Sequence, residues 1–264
     1  MADESMVRNL AAQARAIWPQ EMPLLRRYAL PAEARILDAG CGTGEAASRL
    51  AELFPAARVL GVDIIDSHLD LARSRYASFA PRLAFEHQSV YDLDTEDGSF
   101  DLTVCRHVIQ SIPHPDRVLA ELARVTRPGG YLHLIAEDYG MLHFQRGALD
   151  PRDFWHVAPR SFEAATGTDL FIGRNAFGML AALNLEAIAV DYVIIDPLRV
   201  PRETFAQILE AWRDGYVEAI GELTPISRES ASAYFEQMIA SIRDPLGYAV
   251  WQVPVWSARV PRNG

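Results

Sequence analysis

The segment Ile36-Leu37-Asp38-Ala39-Gly40-Cys41-Gly42-Thr43-Gly44 leads from an apolar run into glycines at alternate positions. Glycine lets a backbone turn tightly and approach a ligand that a Cβ would push away. A helix following such a loop offers unpaired N–H groups. Asp63 lies about twenty residues farther on, where a carboxylate can accept from both hydroxyls of a ribose. Glu45 stands where the dinucleotide fingerprint needs its last glycine, and Asp38 beside the loop would repel a pyrophosphate. The chemistry that suits these residues is recognition of a zwitterionic, phosphate-free nucleoside.

A loop of this kind needs a strand before it and a helix after it. From Arg35 to Asp138, short apolar runs (Arg35–Ala39, Arg58–Val62, Leu83–Phe85, Phe100–Cys105, Tyr131–Ala136) alternate with helix-like stretches. Ala47, Leu50, Ala51 and Phe54 share one helical face. Val118, Leu122 and Val125 share another, behind a start signal at His114-Pro115, and Pro128-Gly129-Gly130 reads as that helix's stop. Continuous apolar strands joined by amphipathic helices predict a parallel sheet covered on both faces. Farther on come a helix around Asn175–Leu183 and strand-like runs at Glu186–Ile195 and Tyr248–Val260. Between those runs lie two amphipathic helices. One presents Phe205, Ile208, Leu209, Trp212 and Tyr216; the other presents Ala231, Tyr234, Phe235, Met238 and Ile242. Near the start, Leu10, Ala11, Ala14 and Ile17 predict a helix that stops at Pro19. The expectation is an α/β fold with seven strands and a helical insertion between the last two.

In this order, the motifs resemble those of class I S-adenosylmethionine-dependent methyltransferases. Ile36–Gly44 is similar to their first motif and Gly61-Val62-Asp63-Ile64 to their second. Asp97-Gly98-Ser99-Phe100-Asp101 is similar to the entry to the fourth strand, and Arg124–Gly130 to the run before the fifth. Cys105–Pro113 resembles the quinone-biosynthesis-like, small-molecule branch. The resemblance implies a Rossmann-like sheet and S-adenosylmethionine as cofactor, leaving S-adenosylhomocysteine, with no metal. It implies that Asp38, Gly40, Gly42 and Gly44 hold the methionine end, that Asp63 takes the ribose and that Ile64 packs on adenine. Ser89, followed by Val90, stands where many relatives carry an aspartate for the adenine amino group. His107 falls where relatives line the methyl-transfer channel. The expected division is an N-terminal segment 1–28 joining the cap, a cofactor-binding core 29–196, a helical cap 197–246 and a final strand 247–264.

Ligands of open α/β sheets bind at the carboxyl ends of the strands. This points to Arg106 and His107 after the fourth strand, and to Glu137, Asp138 and Tyr139 after the fifth. His143, Trp155 and His156 are expected on the loop that follows. His107, Glu137 and His143 are the candidate catalytic groups, since an oxygen acceptor needs a general base. Arg106 is a candidate cofactor contact. Asp138, Tyr139, Trp155, His156, Trp212 and Tyr216 are candidate acceptor contacts.

The 264-residue chain carries a formal net charge of −10 and has no basic cluster, which disfavours a nucleic-acid partner. Its two cysteines read as free thiols, no apolar run reaches membrane-spanning length, and no leader-like segment opens the chain, so a cytoplasmic location is expected. A small-molecule acceptor is the expected partner, and a homodimer is compatible with the sequence. Methylation of a protein or peptide, and nicotinamide-dependent oxidoreduction, are the competing functions.

Overall fold

The computed structural model describes residues 4–262. The expected terminal segments 1–28 and 247–264 include residues 1–3 and 263–264, which lie outside the described residues.

Five strands, β1 (Arg35–Ala39), β2 (Arg58–Asp63), β3 (Leu83–His87), β4 (Phe100–Arg106) and β5 (Thr126–Ile135), form the parallel part of one sheet in the order β3-β2-β1-β4-β5. β4 is buried along nearly its whole length, as its continuous apolar run requires of a central strand. β3, at the edge, alternates buried and exposed residues at its start. The last strand, β8 (Ala249–Arg259), runs antiparallel to β5 and to β7 (Glu186–Ile195). Among the described residues the sheet holds eight strands where seven were expected. The extra one, β6 (Leu142–Phe144), pairs with Ala249–Trp251 of β8 beyond the end of β5. Three residues are too short to carry a readable alternation.

Helices α2 (Glu45–Leu53) and α3 (Asp66–Arg75) share a core with one face of the parallel strands, built on Ile36, Leu50, Leu69 and Leu102. Helices α4 (Pro115–Val125) and α6 (Ile172–Ala182) pack on Leu37, Cys105, Leu132 and Leu134 in a second core. A third core joins α1 (Glu4–Leu25), α5 (Pro151–Thr166), α7 (Arg202–Leu223) and α8 (Arg228–Arg243) to the β6–β8 end of the sheet, through Ile17, Phe154, Trp212, Phe235 and Trp251.

Three local expectations change. α1 does not stop at Pro19 but continues to Leu25, with Pro19 and Pro23 inside it. Tertiary bonds hold its second half: the Gln20 side chain donates to Ile194 O at 2.8 Å and accepts from Ile194 N–H at 3.1 Å, and Glu21 is paired inside the protein. The stretch bearing Trp155 and His156 is helix, not loop. Asp150 caps α5 by accepting from Arg152 N–H, Pro151 opens it and Gly167, at φ 73°, closes it. β5 begins at Thr126, so the Pro-Gly-Gly triplet lies within the strand, where the pairing with β4 shifts register. His114 does precede α4, but its side chain makes no capping bond.

Candidate active site

The carboxyl ends of β1, β2, β4 and β5 converge on one cleft, with α1 as its opposite wall. Gly40 and Gly42 line it in the left-handed backbone region, at φ 75° and 51°. A Cβ on Gly40 would strike Val108, and one on Gly42 would come within 2.7 Å of Leu10, so only glycine keeps the loop close against both neighbours. Asp63, at the end of β2, accepts from Gly42 N–H at 2.8 Å and from Ile65 N–H at 3.0 Å. These two bonds aim the carboxylate into the cleft. Ile64 stands 62% exposed on the same wall, an apolar surface open to a flat ring. Ser89 and Val90 line that end, with the Ser89 hydroxyl accepting from Tyr91 N–H at 3.3 Å.

Asp38 is buried behind the glycine loop and does not reach the cleft wall. Burial pushes its carboxyl up to about 7, against the pull of the Arg106 guanidinium, with Glu21 and Asp63 adding to the rise. One of its oxygens, Oδ2, has no hydrogen-bond partner. Arg106 lines the cleft, yet its guanidinium is taken up by a bidentate pair with Glu21 of α1, both bonds at 2.8 Å. Glu21 also binds His133 Nε2 at 3.1 Å, and His133 Nδ1 meets the Tyr28 hydroxyl at 2.8 Å. Burial alone would raise the Glu21 carboxyl, but Arg106 and His133 hold it down at about 2.

His107 follows Arg106 with φ 58°, a strained setting for a residue with a Cβ, costing about 1–3 kcal/mol. Its N–H donates to Ile135 O at 3.1 Å, and its Nδ1 lies 2.5 Å from Glu137 Oε1. Both side chains are more than nine-tenths buried. Gln13 of α1 donates to the same Glu137 oxygen at 3.4 Å. His107 Nε2, Glu137 Oε2, Gln13 Oε1, Asn9 Oδ1 and Gln110 Oε1 are buried without partners, and all five residues line the cleft. Buried polar atoms are nearly always paired, so this cluster offers hydrogen-bonding groups to whatever fills the cleft.

A second cavity adjoins the cleft, sharing Ser111, Tyr139, Trp212 and Tyr216 with it. Its remaining wall is apolar, with Phe154, Trp155, Phe162, Ile220 and Phe235 prominent. Tyr139 stacks on Trp155 with centroids 5.6 Å apart, and Trp212 meets Tyr139 edge-on at 5.5 Å. Burial and the neighbouring Glu137 carboxylate push the Tyr139 hydroxyl well above its ordinary value.

The structure therefore brings together the cofactor candidates Gly40, Gly42, Asp63, Ile64, Ser89, Val90 and Arg106, with Asp38 just behind. It also gathers His107, Glu137, Tyr139, Trp155, Trp212 and Tyr216. It does not bring in four others. Asp138 is fully buried but its carboxylate is bound twice by Arg174, at 2.6 Å each, and accepts from Gly140 N–H. His143 is an exposed residue of β6, and His156 sits on the outer face of α5. Gly44 holds the turn into α2 against Phe85 and is not on the cleft wall. The polar residues of α1 were missed. Asn9 and Gln13, one helical turn apart, belong to no motif, and both are buried in α1.

Residues 36–130 match a family described as a methyltransferase domain. Similar curated proteins include the trans-aconitate 2-methyltransferase of Deinococcus radiodurans, 40% identical over 99 residues, covering 38% of this chain and 36% of that one. The ubiquinone biosynthesis O-methyltransferase of Xanthomonas axonopodis pv. citri is 34% identical over 105 residues, covering 39% and 43%. The matches thus span less than half the length of these relatives. Among solved structures, phosphoethanolamine N-methyltransferase 2 of Haemonchus contortus, in complex with phosphomonomethylethanolamine and S-adenosylhomocysteine, superimposes with a TM-score of 0.58 at 20% identity. That superposition covers 93% of this chain and 53% of that one. Residues 36–130 thus match the methyltransferase-domain family, and the chain shares the Rossmann-like fold of this solved methyltransferase.

Proposed function

We propose that the cleft binds S-adenosylmethionine and that the chain moves its methyl group to a small-molecule acceptor in the adjoining aromatic chamber. The observation that carries this reading is the character of the unpartnered cleft atoms. The orphaned oxygens of Asn9, Gln13, Gln110 and Glu137 are all hydrogen-bond acceptors. With Asp63 on the wall, Asp38 behind it and Arg106 already neutralised by Glu21, the cleft is electron-rich. That suits a cationic ligand and repels a pyrophosphate.

When bound, the cofactor supplies a methyl group on a positively charged sulfur. The glycine loop gives its methionine end close approach to the backbone, and Asp38 favours the positive charge there from behind. Asp63, held by two N–H groups, takes the ribose hydroxyls. Ile64 would pack against the adenine, with Ser89 and Val90 lining the same end of the cleft. The shared residues Ser111, Tyr139, Trp212 and Tyr216 then face an acceptor toward the cleft. Holding the two reacting atoms in line in a water-poor space supplies much of the acceleration such a transfer needs. α1 and α7 both contribute to the wall, which supports a helical lid over the site.

Among the acceptors named for the relatives, trans-aconitate is a polyanion. The chamber lining offers it no cation.

The test is incubation with methyl-labelled S-adenosylmethionine and a panel of small metabolites, in the presence of a protein extract. Label should enter a low-mass product. Label found in protein instead would contradict the small-molecule assignment.

A further inference from the structure

Resting on the methyl-transfer reading, we infer that the acceptor is an uncharged, ring-bearing molecule with one ionisable hydroxyl, and that His107 Nε2 takes the hydroxyl proton. Two independent features lead here. The first is the chamber, whose lining residues include no acid, no arginine and no histidine. The sequence contains no lysine anywhere, so no flexible ammonium can swing in to pair with an anionic acceptor. Trp155, Trp212, Tyr139 and Phe235 offer both ring faces and edges, which favours a flat apolar body.

The second is the His107–Glu137 pair in the cleft that shares Tyr139, Trp212 and Tyr216 with that chamber. In the tautomer with its proton on Nδ1, His107 donates to Glu137 Oε1 across this short contact and keeps a lone pair on Nε2. Nε2 is buried and has no partner. The imidazole lies 6.3 Å from Trp251, and Trp251 lies 5.2 Å from Trp212 of the chamber wall. A base is of little use to a neutral amine, which attacks with its lone pair before losing a proton. It matters for a hydroxyl, whose oxygen must shed its proton to become a good nucleophile. As the oxygen–methyl bond forms and the sulfur–methyl bond breaks, the bonding pair stays on sulfur and the hydroxyl proton passes to Nε2. The resulting imidazolium is compensated by Glu137 through Nδ1–H, as in carboxylate–histidine pairs elsewhere. The left-handed backbone of His107 makes sense in this light, because it turns the ring onto Glu137 directly after β4.

The test uses matched naphthalenes: 2-naphthol, 2-naphthylamine and 2-naphthoate. With S-adenosylhomocysteine present, 2-naphthol should quench tryptophan fluorescence through Trp155 and Trp212, and 2-naphthoate should not. With S-adenosylmethionine, 2-naphthol should yield its methyl ether at a kcat/KM at least about tenfold above the other two. His107→Asn, which tolerates the left-handed backbone, should lose about 100-fold or more on 2-naphthol. The loss should be much smaller on 4-nitro-1-naphthol, which is already ionised at neutral pH. Calorimetric titration with S-adenosylhomocysteine, run in parallel, reports the cofactor reading separately. If that ligand binds but the naphthoate or naphthylamine is preferred, or 2-naphthol neither quenches nor reacts, the acceptor class is overturned. If 2-naphthol binds without being methylated, or the variant loses equally on both naphthols, the role of His107 as base is overturned.

Discussion

At the scale of single residues, two carboxylates do opposite jobs. Asp63 faces the ligand and holds only backbone N–H groups, so its removal should leave the fold intact. Each charged hydrogen bond lost to the ribose is worth roughly 1.5–3 kcal/mol. Asp63→Ala should therefore weaken S-adenosylhomocysteine binding about tenfold or more by calorimetry. Unchanged affinity in the folded variant would make Asp63 structural. Glu21 faces no ligand but joins α1 to β4 and β5 through Arg106 and His133. Glu21→Ala leaves the Arg106 guanidinium and His133 Nε2 buried without their acceptor, which should destabilise the protein by about 3–5 kcal/mol in urea unfolding. The Glu21 carboxyl is depressed from 4.5 to about 2 in the folded state. Its contribution, of order 3 kcal/mol, is thus present above pH about 4.5 and is lost as pH falls toward about 2. The variant should lose that part of the acid dependence. The glycine loop and Asp63 were legible because their spacing is tied to backbone geometry. Asp138 was not. A carboxylate at a strand end looks the same whether it faces a ligand or an arginine 36 residues later. Arg106 was half legible, placed correctly but bound to a partner 85 residues earlier that no local pattern reveals.

At the scale of elements, the sequence reads well wherever an apolar period is long. The five parallel strands, α2, α4, α7 and α8 follow the pattern of their apolar residues closely. α5 was obscured by the polar and proline-containing stretch around it, Pro151 and Pro159 included, although its Asp-Pro start and Gly167 stop are ordinary signals. α1 was cut short at Pro19 because helix interiors disfavour proline. Burial of Leu25, the pairing of Glu21 with Arg106 and His133, and the two bonds from Gln20 to β7 outweigh that cost. These same elements form the walls of the two cavities, since α1 supplies Asn9 and Gln13, and α7 supplies Trp212 and Tyr216 to both. Walls that meet over a ligand must open to admit it. Hydrogen exchange should show added protection in α1, α7 and α8 when cofactor product and acceptor bind together, with less change in β1, β4 and β5. Unaltered exchange in the three helices would remove the lid.

At the scale of the whole molecule, one sheet does two things. Its parallel half ends in the polar cleft, and its antiparallel end carries the helices that enclose the aromatic chamber. Among the described residues no helix is long and apolar enough to cross a membrane. The central claim is that the glycine loop, Asp63 and the electron-rich wall select a zwitterionic nucleoside without phosphate. Isothermal titration calorimetry with S-adenosylmethionine, S-adenosylhomocysteine and NAD tests this in one experiment. Both adenosyl ligands should bind at one site per chain and NAD should give no heat of binding. Binding of NAD, with neither adenosyl ligand bound, would contradict the account.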